Sequence, residues 1–64
     1  MRHTELWARL ERHLGVGYYR SWAEQFVMAD LGRRTTQEAL TAGIPPKEIW
    51  AVVWRSLELP ESER

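Results

Sequence analysis

The chain has 64 residues, with nine basic and nine acidic side chains and a formal net charge of zero. That balance excludes a chain-wide electrostatic footprint for nucleic acid or anionic lipid. The absence of cysteine excludes disulfides, thiolate metal sites and thiol nucleophiles, and the absence of asparagine excludes N-linked glycosylation.

The first helix is expected to open at Thr4, a good N-cap, and to run to about Leu14, where Gly15 stops it. Leu6, Leu10 and Leu14 recur at i, i+4 and i+8 beside Trp7, while Glu5, Arg9 and Arg12 face the other way. Gly15-Val16-Gly17 reads as a link between helices. It carries only two glycines of a phosphate-loop pattern, and no strand precedes it.

A second helix is expected from Tyr18 to Leu31, stopped by Gly32. Tyr18, Trp22, Phe26 and Ala29 share one face, which Ala23 and Val27 widen. Arg20 and Glu24 form an i, i+4 pair outside it. Asp30 would sit at the helix C-terminus, where the macrodipole disfavours a carboxylate, so Arg33 or Arg34 is expected beside it.

Thr35 and Glu38 make a capping box, which predicts a third helix from Thr36 to Ala42, ended by Gly43. Pro45-Pro46 then leads into a fourth helix, from Pro46 to Leu57 or Glu58. Pro60 ends any continuation, and residues 61–64 are expected to fray. The pattern is that of an all-α protein: a compact bundle of three to four short helices in a single domain, residues 1–60, with a frayed tail, 61–64. No alternation of strand type, repeat or low-complexity segment interrupts it.

A chain this short can bury only a modest core, so its aromatic residues are read first as core. A homodimer sharing one apolar face would relieve the shortage. The longest apolar run, Ile49 to Trp54, has six residues, against the roughly 20 that cross a bilayer. The first residues include Arg2, Glu5, Arg9 and Glu11 and no apolar stretch, so no signal peptide, no membrane association and a cytoplasmic location are expected.

The fourth helix stands out. Its apolar side chains sweep an arc of about 200°, against roughly 100° for an ordinary surface helix. Either it is the central helix of the bundle or its tryptophan edge meets a partner. On the second reading Trp50 and Trp54, flanked by Lys47 and Glu58, are the candidate partner-binding residues.

Little here points to catalysis. His3 and His13 would lie about 15 Å apart along one helix, too far to share a metal that needs both nitrogens at about 2.1 Å. Ser21, Ser56 and Ser62 have no base at a useful spacing, and Glu58, Glu61 and Glu63 read as a solvated tail. A bundle of this size is not expected to enclose a ligand-sized pocket. The expectation is a non-enzymatic protein with no catalytic, cofactor-binding or metal residues.

The stretch from Glu38 to Arg55 resembles a helix-turn-helix. Ala39 lies four residues before Gly43, permitting close helix approach, and Gly43 permits a left-handed turn. Glu38 departs from the pattern, which has an apolar residue there. A DNA-binding module of this type would use Arg33, Arg34, Lys47 and Arg55. Against it, the outward residues of the fourth helix are Lys47, Glu48, Ala51, Arg55 and Glu58, a poor match to phosphates. Among them only Arg55 is suited to reading guanine. Residues 1–34 hold six bases and four acids, and residues 35–64 hold three bases and five acids, so nucleic-acid contact is expected from the first half.

Taken together, Met1-Arg2, Thr4-Glu5 and Trp7, then Leu31-Gly32-Arg33-Arg34-Thr35, Glu38-Ala39-Leu40, Gly43, Pro46-Lys47-Glu48-Ile49-Trp50 and a closing Pro60 and Arg64 carry a resemblance. Over essentially its whole length the chain resembles a short all-helical domain-of-unknown-function family of actinobacteria. The resemblance implies a stand-alone helical protein, often encoded near the recombinase RecA and its regulator RecX, and hence a link to DNA repair or recombination. It brings no assigned activity and no catalytic residues. Trp54 stands where a smaller residue, often cysteine, is expected in that family. The functional expectation is an accessory protein acting on an unknown protein partner or on a second copy of itself. The helix-turn-helix DNA-binding module is the alternative.

Overall fold

The computed structural model describes Met1–Arg64. Four α-helices follow one another: α1 (His3–Leu14), α2 (Tyr19–Gln25), α3 (Thr36–Thr41) and α4 (Pro46–Ser56). Two 3-10 turns, Ala29–Leu31 and Glu61–Glu63, complete the order. No strand forms; an isolated antiparallel bridge joins Met28 to Arg34. The chain is an all-α bundle, as its periodicity predicts.

Helix α4 is the centre of the bundle. It packs against α1, α3 and the first 3-10 turn, and it buries Ile49, Trp50, Val52 and Val53. The wide apolar arc is therefore used by three neighbours at once. Leu6 and Leu10 of α1, Tyr19, Trp22 and Ala23 of α2, and Ala39 of α3 close the core around it.

The first helix begins earlier than its sequence suggests. Arg2, in extended conformation, is the N-cap, and its carbonyl accepts from the Glu5 and Leu6 N–H groups at 3.1 Å each. Thr4 lies inside the first turn and caps nothing.

The second helix departs most from expectation. It ends at Gln25, with Phe26 already extended, instead of running to Leu31. The face drawn through Tyr18, Trp22 and Phe26 is one residue out of register: Tyr19, Trp22 and Ala23 are the buried set, and Tyr18 is exposed. After the break the chain turns back, so that Met28 N–H donates to the Arg34 carbonyl at 3.0 Å. That reversal buries Met28 and Leu31 and leaves Phe26 and Val27 on the surface. It also changes the neighbours of Asp30, which pairs with Arg55 of α4 at 3.2 Å rather than with Arg33 or Arg34. Arg34 instead donates from Nη1 to the Leu31 carbonyl, and Arg33 makes no ion pair. Arg20 forms no ion pair with Glu24; its guanidinium lies over the rings of Trp7 and Tyr19.

The capping box of α3 is formed in full. Thr35 Oγ1 accepts from Glu38 N–H at 3.1 Å, and Glu38 Oε1 accepts from Thr35 N–H at 2.9 Å. This explains an acid where a helix-turn-helix has an apolar residue: Glu38 serves the helix start.

Helices α3 and α4 end in the same way. Ile44 N–H donates to the Ala39 carbonyl and Gly43 N–H to the Leu40 carbonyl. Likewise Leu59 N–H donates to the Trp54 carbonyl and Glu58 N–H to the Arg55 carbonyl. Both are Schellman motifs, which need a left-handed residue at the position after the cap. Gly43 supplies it at φ +88, and Glu58 supplies it at φ +53. A Cβ on Gly43 would meet nothing within 4 Å. Its glycine therefore answers the backbone conformation, not the expected close approach of α3 and α4.

Residues 61–64 do not fray away from the bundle, as terminal position suggests. The Glu61–Glu63 turn lies against α1 and α4. Trp50 Nε1 donates to the carbonyls of Glu63 and Arg64, both at 3.1 Å, and Arg9 Nη1 donates to the Arg64 carbonyl at 3.2 Å. Indole N–H groups at the core edge need acceptors, and the tail backbone provides them.

Candidate functional site

The four expected partner-binding residues do not share an open surface. Trp50 is 2% exposed and belongs to the core. His13 stacks on it at 5.8 Å, and Arg9 covers its other approach at 5.4 Å. Trp54 is half-buried; its indole N–H donates to the Pro60 carbonyl at 2.8 Å, and the Arg64 guanidinium lies 5.1 Å from its ring. Glu58 is exposed beyond the end of α4, and Lys47 lies near its start. The tryptophan edge is thus covered by the chain's own tail.

The residues of the DNA-binding alternative fall into two groups. The Asp30–Arg55 pair brings the Arg33-Arg34 loop toward the C-terminal end of α4. Lys47 lies eight residues earlier on the same helix, about 12 Å along its axis. Arg55 and Asp30 are both largely exposed, so their pairing adds little to stability but occupies the guanidinium.

Two surface features were not legible from residue spacing. The first is an open groove of about 500 Å³ between α1 and α4. Glu5 and Arg9 line it from α1, Lys47, Trp50 and Ala51 from α4, and Arg64 from the tail. The groove is open to solvent, so it forms between two helices without the enclosure that a bundle of this size is not expected to provide. The second is a hollow of about 200 Å³ on α2, lined by Tyr18, Ser21, Trp22, Gln25 and Phe26. Tyr18 is 56% and Phe26 43% exposed, and their chain neighbours Val16 and Val27 are 78% and 55% exposed. Phe26 stacks on Trp22 with ring centroids 4.9 Å apart.

Of the two histidines, His3 is exposed and His13 is half-buried. His13 Nε2 lies 2.8 Å from Glu63 Oε1, but obliquely, so that the ring nitrogen lacks a well-directed hydrogen bond. Arg12 also reaches Glu63, at 3.1 Å. No group of three or more His, Asp or Glu side chains is gathered in a way that could hold a metal ion. No helix is long and apolar enough to cross a membrane.

The family model described as "Protein of unknown function (DUF3046)" matches residues 1–62. The chain belongs to this family. No curated protein and no solved structure matches it. The matched residues include α1 to α4 and Pro60, and so both the groove-lining helices and the carbonyl that engages Trp54.

Proposed function

We propose that this protein is a cytoplasmic, non-enzymatic accessory protein that binds another protein through the exposed apolar face that runs along α2 from Tyr18 to Phe26. The observation that supports this reading is the placement of Tyr18 and Phe26, each about half exposed, at either end of a hollow that Trp22 also lines. Exposed aromatic side chains around a hollow are the usual anchors of protein interfaces, and small monomeric proteins seldom leave such a patch uncovered. The hollow suits a partner that inserts one large apolar side chain. Arg20 and Glu24 on the same helix give the rim no net charge, so the partner surface is apolar rather than strongly charged. The resemblance to a family encoded near RecA and RecX makes those two proteins the first partners to test and links the proposal to DNA repair or recombination.

The test is a binding titration of purified RecA and RecX against the wild type and a Tyr18→Ser/Phe26→Ser variant, with circular dichroism as the folding control. Loss of about 2 kcal/mol or more in the folded variant is expected of a hot-spot pair. Unchanged binding in that variant would remove α2 as the site. Failure of both proteins to bind would remove the repair link. Concentration-dependent self-association that the variant abolishes would make the partner a second copy.

A DNA-binding corner formed by α3 and α4 is the second reading. It draws on the loop of Arg33 and Arg34 lying toward the C-terminal end of α4. It is weakened by Arg55 being paired with Asp30 and by the exposed stripe of α4 and the residues just after it, where Glu48 and Glu58 offset Lys47 and Arg55.

A further inference from the structure

We propose that the tail is a pH-sensitive strap: it is seated across α1 and α4 most firmly when His13 carries a proton, and it loosens from Trp50 and Trp54 when that proton is lost. The seat is made mainly by backbone. The Glu63 and Arg64 carbonyls accept from Trp50 Nε1, the Arg64 carbonyl accepts from Arg9, and the Pro60 carbonyl accepts from Trp54 Nε1. One tail side chain forms ion pairs with α1. Glu63 Oε1 lies 2.8 Å from His13 Nε2 and 3.1 Å from Arg12 Nη2. Glu61, by contrast, pairs within the tail, with Arg64.

The contact between Glu63 and His13 is of a kind that depends on the charge of the imidazole. Its oblique geometry serves a neutral N–H donor poorly, since hydrogen bonds weaken steeply off axis, and His13 Nε2 has no other partner. A charge is less demanding, because Coulomb attraction depends on distance rather than on angle. Solvent screens it only in part: the His13 side chain is 16% exposed and that of Glu63 29%. Arg12, the competing cation on Glu63, is 64% exposed and counts for less.

The other groups around the ring favour the proton or are already balanced. His13 lies in the last turn of α1, where the helix dipole favours a cation. Arg9, one turn earlier, is paired with Glu5 at 2.9 Å, and Arg64 of the tail with Glu61 at 2.7 Å. Helix α2 has Arg20, which is engaged over Trp7 and Tyr19. Helix α4 contributes the Trp50 ring, on which an imidazolium gains a cation–π attraction; Lys47 lines the groove beside Trp50, and His13 does not. Glu63, the dipole and the indole ring together outweigh Arg12.

Histidine changes charge between about pH 5 and 8, a window through which ordinary carboxylates and guanidinium groups keep theirs. A site that favours the protonated form is stabilised at the acid end of that window and loses the contribution as pH rises. The seat is therefore firmer near pH 5.5 than near pH 8, and its loosening bares the indole edge of α4.

Water exchange of the Trp50 indole N–H reads the seat by NMR, together with the Glu63 and Arg64 amides, which donate to the Pro60 and Glu61 carbonyls. Corrected for the intrinsic pH dependence of exchange, protection at about pH 5.5 should exceed that at about pH 8 by about threefold, as for a partly exposed ion pair. His13→Gln removes the titratable charge and should hold protection constant over the range, near the wild-type value at about pH 8. Glu63→Gln should do the same from the other partner. His3→Gln, at the far end of α1, should leave the wild-type difference intact, with circular dichroism as the folding control for each variant. Protection that does not change with pH in the wild type would overturn the proposal. So would a threefold difference that survives in Glu63→Gln, or protection that rises with pH, the sign expected if Arg12 repels the imidazolium more than Glu63 attracts it.

Discussion

Trp54 donates its indole N–H to the Pro60 carbonyl at 2.8 Å. The bond draws the tail over the far edge of α4, and the Arg64 side chain then covers the ring. An aromatic residue that spacing alone places at the margin of an apolar arc thereby becomes part of a packed surface.

Stability, not association, should therefore respond first to Trp54. Replacement by Ala removes a half-buried ring and the acceptor's only indole partner, and should cost about 2–4 kcal/mol, within the lower part of the range for large-to-small changes. Trp54→Phe keeps most of the packing but loses the N–H, and should cost about 1 kcal/mol. Thermal unfolding followed by circular dichroism gives both values. A Trp54→Ala protein that melts like the wild type would show that the tail contributes nothing there.

The two Schellman motifs predict opposite responses to mutation. Glu58 holds φ +53, a conformation that costs a residue with a Cβ and costs glycine nothing. Glu58→Gly should stabilise by about 0.5–1 kcal/mol. Gly43 holds φ +88 with open space around it. Gly43→Ala should destabilise by about 1–2 kcal/mol through backbone strain, and Gly43→Val by more, since branching at Cβ narrows the backbone further. Denaturant midpoints of the three variants decide it. A destabilised Glu58→Gly protein would mean that the Glu58 side chain itself holds the α4 terminus.

Thr36 opens α3 with its side chain wholly buried, and its hydroxyl finds no partner. An unsatisfied buried hydroxyl costs roughly 1–3 kcal/mol. Thr36→Val has nearly the same shape and no hydroxyl, so it should raise stability by about 1 kcal/mol. A fall in melting temperature of similar size would show that the hydroxyl is satisfied in solution, by ordered water for instance.

How far the sequence could be read differs between the two halves of the chain. Helices α3 and α4 carry strong local signals: a capping box at Thr35 and Glu38, Gly43 at the turn, and Pro46 at the helix start. Each fixes a boundary through bonds made within a few residues, so spacing suffices. Between Tyr18 and Arg34 the one local stop signal is Gly32, which caps the Ala29–Leu31 turn in left-handed conformation, and no such signal marks the break after Gln25. The apolar period continues past Gln25, and the break accompanies the burial of Met28 and Leu31 against the core and the tight reversal that bridges Met28 to Arg34. The tail is similar. Nothing local in Pro60-Glu61-Ser62-Glu63-Arg64 announces order; its order comes from tryptophan N–H groups and arginines on α1 and α4. For the candidate site the consequence is direct. Lys47 was legible as a surface cation, but its groove requires the packing of α1 on α4, and the exposure of Phe26 beside Trp22 requires the break after Gln25.

DNA binding should be weak. A recognition helix must offer a positive polar face to the major groove, but the exposed face of α4 and its C-terminal end balance Lys47 and Arg55 with Glu48 and Glu58. Arg55 would have to leave Asp30 to reach a base. What remains is the loop of Arg33 and Arg34, which suits two or so phosphate contacts. Such a surface should give a shallow salt dependence, with a slope near −2 at about −0.9 per contact, and little preference among duplex sequences. Fluorescence anisotropy on random and genomic duplexes over a range of salt measures both quantities. Arg33→Glu/Arg34→Glu should remove the residual binding, whereas Arg55→Ala should leave it nearly unchanged. Tight, sequence-selective binding that Arg55→Ala abolishes would reverse the ranking: Asp30 would then be a gate that DNA displaces, and the α3–α4 corner a true reading head.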